Sequence, residues 1–179
     1  AAGAKDVVVA DIDGVVHTGR SGLTEQLRWT AEHTNPRGLT GTLKAAMAGA
    51  DVFIGVSAPN VIDAADVATM NDDAIVFAMA NPAPEIDPVE AAKHATIVGT
   101  GRSDFPNQIN NVLAFPGVFR GLLDAESSRI TEDLLLAAAR ALASTVHPDQ
   151  RNATYIVPSV FNPDVTTVVA EAVASASRA

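Results

Sequence analysis

The sequence predicts an open α/β fold in which a mainly parallel sheet carries helices on both faces. Two observations lead there. Short apolar runs alternate with stretches of helical periodicity along the whole chain. The apolar runs are continuous rather than alternating, which is the pattern of strands covered on both sides. At 179 residues the chain has room for one domain with a real core, and a second full domain is not expected.

The elements follow in order. Residues 6–11 (DVVVAD) read as a first strand. Amphipathic patterns at 24–34 and 41–49 predict helices, separated by the breaker NPRG. DVFIGVS, 51–57, is a continuous apolar strand, and NVIDAADVATM, 60–70, a short helix. DAIVFAMA, 73–80, is a second buried strand. DPVEAAKHA, 87–95, is a helix with Pro88 in its first turn. TIVGT, 96–100, is a further strand, after which helices are expected over 106–123 and 131–146. The second of these opens on Thr131 in a capping sequence. TYIVPS, 154–159, reads as a last short strand and 164–177 as a closing helix. The arrangement is Rossmann-like and doubly wound. Ligands in such sheets sit beyond the carboxyl ends of the strands. The residues to examine are therefore Asp11 and Asp13, Ser57 to Asn60, Asn81-Pro82, and Gly99 to Arg102.

Composition narrows the function. Hydrophobic residues make up 47% of the chain, which excludes disorder. Aromatics make up only 4%, too few for a platform that stacks single-stranded bases. A net charge of −9 opposes a nucleic-acid partner. Without cysteine there is no disulfide, thiolate nucleophile or Cys-based zinc site. No apolar run approaches the ~20 residues of a spanning helix, and no signal peptide is present, so a cytoplasmic location away from membranes is expected. His17, His33, His94 and His147 are scattered without ligand spacing. Trp29, Phe53 and Leu134-Leu135-Leu136 read as core.

The stretch VVVADIDGVVHTGR, residues 7–20, admits two chemistries. Its D-x-D-G resembles the nucleophile motif of haloacid-dehalogenase-type phosphatases, with Asp11 as nucleophile and Asp13 as general acid. Ser57 and Lys93 would supply that family's hydroxyl and lysine. The remaining acid pair, Asp72-Asp73, precedes its strand and lies at the opposite sheet edge. A seven-residue strand spans ~23 Å, which no single magnesium ion bridges. The other chemistry makes Asp11 the acid that accepts hydrogen bonds from the adenosine ribose. Such an acid follows a G-x-G-x-x-G loop by about 20 residues, and only ten residues precede Asp11. The first strand and glycine-rich loop are therefore expected upstream of residue 1. Acid at both Asp11 and Asp13 repels a 2′-phosphate and favours NAD over NADP. In GTGRSDFPNQINNVLAFPGVFRG, residues 99–121, Asn107, Asn110 and Asn111 stand at i, i+3 and i+4. On the expected helix they share a face, suited either to holding a carboxylate or to locking helix against sheet.

Five motifs in sequence order resemble the malic enzyme family in its bacterial short form. They are VVVADIDGVVHTGR, DVFIGVSAPN, FAMANPAPEI, GRSDFPNQINNVLAFPG and YIVPSVFNPDV. The resemblance implies that residues 1–179 are the NAD(P)-binding domain of an enzyme converting (S)-malate to pyruvate and carbon dioxide. It implies reduction of NAD, or of NADP, and a homodimer. It also implies Mg2+ or Mn2+ bound by residues upstream of this segment, where the family's catalytic Lys and Tyr and its acidic metal cluster belong. Neither Lys93 nor Tyr155 matches those positions. Residue by residue, Asp11 matches the ribose-facing acid, and Ser57, Ala58 and Pro59 match a backbone turn beside the cofactor. Asn81 matches an amide touching malate and the nicotinamide ribose, and Asn110 and Asn111 match amides that hold the malate carboxylates. The competing expectation is a dinucleotide-fold fragment that catalyses nothing by itself.

Overall fold

The computed structural model describes residues 3–178. The chain divides into two compact units, residues 3–97 and residues 98–178.

The first unit opens with a tight hairpin, in which β1 (Ala10–Asp11) pairs antiparallel with β2 (Gly14–Val15). The expected strand over 6–11 is thus much shorter. Upstream of it the backbone is used singly: the Val7 and Val9 carbonyls accept from the Asn35 and Val16 N–H groups. Gly14 closes the turn at φ +105°, a conformation open to glycine and strained for other residues. α1 (Glu25–His33) and α2 (Leu43–Met47) each begin where a threonine hydroxyl, Thr24 or Thr42, accepts a first-turn N–H. α3 (Ala64–Val67) starts at a reciprocal box between Asp63 and Asp66, and α4 (Pro88–Ala91) at Asp87 followed by proline. Side chains with a free acceptor thus stop each helix from fraying backwards.

β3 (Val52–Gly55) and β4 (Ile75–Ala78) are parallel, with Phe53 opposite Val76 and Gly55 opposite Ala78. β5 (Ile97–Thr100) begins at the last residue of the first unit. The α/β class with a parallel sheet is therefore as expected. Burial of β3 is one-sided, however. Phe53 and Gly55 are buried, while Val52, Ile54 and Val56 are exposed. Three more expectations fail, one of them in part. Trp29 lies on the open face of α1, its ring stacked on His33 at 4.2 Å rather than in the core. Leu134 is buried but Leu135 is half-exposed. TYIVPS forms no strand, because the Tyr155 backbone closes a turn on Asn152 and the Ile156 N–H donates to a side chain.

In the second unit, α5 (Phe115–Asp124), α6 (Glu132–Ser144) and α7 (Asp164–Arg178) pack into a bundle. Its core is Leu113, Leu122, Leu134, Ala138, Ala141, Val165, Val169 and Val173. Two glycines set the α5–α7 separation. A Cβ at Gly121 would lie 2.4 Å from the Ala170 carbonyl oxygen, and one at Gly117 would lie 2.7 Å from Val169 Cβ. Helix axes come this close only where one surface lacks side chains.

Candidate functional site

The acids of the hairpin turn do not stand free. Arg20 folds back and donates to Asp11 Oδ2 at 2.8 Å and to Asp13 Oδ2 at 3.1 Å, with a further bond to the Gly14 carbonyl. The other oxygen of Asp11 accepts the Asp13 N–H at 2.9 Å. The Arg20 guanidinium holds the Asp11 carboxyl below the usual range, its hydrogen bond being the largest influence. In return the carboxylate raises the arginine further. A carboxylate with two oxygens has roughly four acceptor directions, so Asp11 keeps capacity for ribose hydroxyls. Its charge is nevertheless largely balanced. An open cleft of about 560 Å³ lies alongside, lined by Asp13, His17, Arg20, Ser21 and Thr42 among others. Within the turn each oxygen of Asp11 accepts one hydrogen bond. Asp72 and Asp73 precede β4, on the side away from the strand's carboxyl end.

The carboxyl ends of β3 and β4 carry the Ser57-Ala58-Pro59 turn and the Asn81-Pro82 loop, the latter with a cis peptide at Asn81-Pro82. Ser57, Ala58, Pro59 and Asn81 are all exposed. The two loops are tied to one another. The Asn60 N–H donates to the Pro84 carbonyl at 3.2 Å and the Ile62 N–H to that of Glu85 at 3.3 Å. Beneath both loops lies the Glu85 side chain, fully buried. Its Oε1 accepts from the Ser57 N–H at 2.8 Å and its Oε2 from the Ala80 N–H at 2.9 Å. The structure therefore brings the Ser57 turn and the Asn81 loop together through Glu85, which lies in the FAMANPAPEI stretch but has no role assigned from sequence. The signal for it was faint: Glu85 is the only charge between Asp73 and Asp87, in a run of Ala, Pro and apolar residues.

In the second unit the expected helix over 106–123 is replaced by an irregular segment, a 3-10 turn (Asn111–Leu113) and α5. Asn107 takes a left-handed φ of +54°, which a right-handed helix cannot accommodate. Its amide is buried and fully used. Nδ2 donates to the Val98 and Ala153 carbonyls at 3.0 and 2.9 Å, while Oδ1 accepts the Ile156 N–H at 2.9 Å. Of the two roles open to these amides, Asn107 therefore takes the lock, and it does not share a helical face with Asn110 and Asn111. The Ile109 N–H donates to the Thr100 carbonyl at 2.7 Å, and Thr100 and Gln108 form an isolated parallel bridge. Asn110 then caps the 3-10 turn, its Oδ1 accepting the Val112 N–H. Asn111 is exposed, and its side chain makes no hydrogen bond among the described residues.

The sequence profile described as malic enzyme, NAD binding domain, matches residues 1–178. This chain belongs to the malic enzyme family. It is 50% identical, over 99% of its own length, to the NAD-dependent malic enzyme of Geobacillus stearothermophilus, of which it covers 37%. Likeness extends to the NADP-dependent malic enzyme of Rhizobium meliloti, at 41% identity over 97% of this chain and 24% of that protein. The crystal structure of the NAD-dependent malic enzyme of Thermotoga maritima superposes with a TM-score of 0.89 at 40% identity. That match covers 95% of this chain and 45% of the other. The chain thus spans less than half the length of these malic enzymes. Among the described residues, no three His, Asp or Glu side chains group so as to hold a metal ion. No helix among them is long and apolar enough to cross a membrane.

Proposed function

We propose that residues 1–179 are the dinucleotide-binding domain of an enzyme that oxidises and decarboxylates (S)-malate to pyruvate and carbon dioxide. The observation that carries this reading is the family match over 1–178 with the Asn-Pro loop and Q-x-N-N run in place. The residues fit a dinucleotide. Asp11 offers acceptors for ribose hydroxyls at the end of β1, beside an open cleft. Ser57, Ala58 and Pro59 form a turn that a ribose or nicotinamide can approach closely, and Asn81 offers an exposed amide beyond β4. A dinucleotide held by Asp11, the Ser57 turn and Asn81 would supply the hydride acceptor for malate oxidation.

Asn111 is the stronger of the two candidate carboxylate holders, because both ends of its amide are available. Asn110 spends its oxygen on the cap but retains Nδ2 as a donor. An amide holds a carboxylate without gaining or losing a proton, so Asn111 itself adds no titrating group to this recognition. These residues bind and orient, and none is given a proton-transfer role. The family's Mg2+ or Mn2+, with its proton-transfer groups, falls to residues outside this sequence. NAD is the preferred cofactor because two acids stand at the turn. Arg20 lowers the barrier to NADP by balancing them. A homodimer in the cytoplasm completes the reading.

The test is malate-dependent reduction of NAD and NADP by the full-length polypeptide with Mg2+ or Mn2+, after its intact mass has been measured. Reduction that requires malate and releases pyruvate supports the proposal. A protein that binds NAD but reduces none with malate under any metal would leave only a binding module.

A further inference from the structure

Glu85 is the buried charge-bearing side chain for which the fold alone gives no reason. It sits at 0% exposure, in a loop, with no cation paired to it among the described residues. Buried carboxylates are costly unless their oxygens are fully hydrogen-bonded. Here the donors are the Ser57 N–H, the Ala80 N–H and, more weakly, the Ser57 hydroxyl at 3.4 Å. Both main-chain donors lie within one residue of the exposed groups assigned above, Ser57 and Asn81.

A neighbour has been cleared for this side chain. A Cβ on Gly55, the last residue of β3, would stand 2.4 Å from Glu85 Cδ and 2.6 Å from Oε1. No real Cβ tolerates that approach, so the carboxylate occupies the space a side chain at position 55 would fill. The strand end therefore gives up packing to admit an acceptor with two oxygens. One oxygen faces each loop, so the carboxylate bridges the two loops in addition to their backbone bonds.

We infer that Glu85 is the positioning residue of the cofactor site, fixing the Ser57 turn against the Asn81 loop so that both meet one dinucleotide. The inference rests on the proposed dinucleotide reading. It makes Glu85 act through Ser57 and Asn81 and not on the reacting atoms.

The experiment is steady-state kinetics of full-length Glu85→Gln with NAD and malate varied separately, together with thermal unfolding. Glutamine has the same shape, but one of its two ends is an NH2 group. Whichever loop faces that end meets donor with donor and is released. The expected result is a KM for NAD raised about tenfold, of the order that loss of one charge-assisted hydrogen bond brings. Gly55→Ala, which pushes the same carboxylate away, should give the same signature.

A residue that only holds the fold would lower the melting temperature and the yield of active enzyme, leaving both KM values within twofold of the unmodified protein. That result in Glu85→Gln overturns the inference, as does failure of both variants to fold. Should the unmodified protein reduce no NAD with malate, the functional reading itself is wrong. An active unmodified enzyme with an unaltered KM in Glu85→Gln refutes the positioning role alone.

Discussion

Replacing Asn107 by alanine removes three hydrogen bonds from the interior of the second unit at once. The lost bonds are those to the Val98 and Ala153 carbonyls and from the Ile156 N–H, all between 2.9 and 3.0 Å. Each is worth about 0.5–1.5 kcal/mol net, and more where the abandoned partner stays buried. The left-handed backbone adds about 1 kcal/mol, since asparagine tolerates it better than alanine. The expected loss for Asn107→Ala is about 3–4 kcal/mol. Asn107→Gly loses the same bonds without the backbone strain and should be milder by about 1 kcal/mol. Asn107→Asp keeps the acceptor for Ile156 but turns an oxygen toward two carbonyls, so it should be no milder than alanine. Urea unfolding followed by far-UV circular dichroism measures the global change. Hydrogen exchange at the Ile156 amide reads the local one, which matters because two units need not unfold together. A loss below about 1 kcal/mol for Asn107→Ala, with Ile156 still protected, would refute the claim that this amide holds the segment.

Three further outcomes are expected. Gly121→Ala should destabilise the chain by about 1–3 kcal/mol in thermal unfolding despite alanine's better helix propensity, because α7 must move away from α5. Asn111→Ala in the full-length protein should raise the KM for malate at least about tenfold, as expected for a lost hydrogen bond to a charged group, and leave that for NAD nearly unchanged; unaltered malate kinetics would remove Asn111 from the site. Asp11 is depressed by Arg20, so the pair's stabilisation is complete above the ordinary Asp value near 4 and fades as pH falls through the depressed one. The gap in melting temperature between the unmodified protein and Arg20→Ala should therefore be full at about pH 7 and narrow as the solution is acidified below the ordinary Asp value.

The sequence was legible where local chemistry decides the outcome. Thr131 and Pro88 mark their helix starts as the sequence suggested, and the bundle helices α6 and α7 follow from periodicity alone, whereas α3 is far shorter than the expected 60–70. The cores of β3, β4 and β5 follow from apolar runs. It was illegible where distant groups decide. Asn107 finds its partners at Ala153 and Ile156, more than 40 residues away, so nothing near it betrays the loop that replaces a helix. Val52, Ile54 and Val56 look as buried as Phe53 in sequence, since hydropathy records what could be covered and not what covers it. The pairing of Asp11 with Arg20 was not readable, because nine residues and a hairpin turn separate them.

Gly55 and Glu85 also constrain how this protein can diverge. Neither position can change freely while the other stays: a side chain at 55 collides with the carboxylate, and a shorter residue at 85 leaves a void under two loops. Single steps from either side should be harmful, while a paired exchange that fills position 55 and empties position 85 should be better tolerated for folding than the sum of its parts. Among descendants of this sequence the two sites are expected to drift together or not at all, and a lineage that had exchanged both would have had to find another way to hold its loops apart.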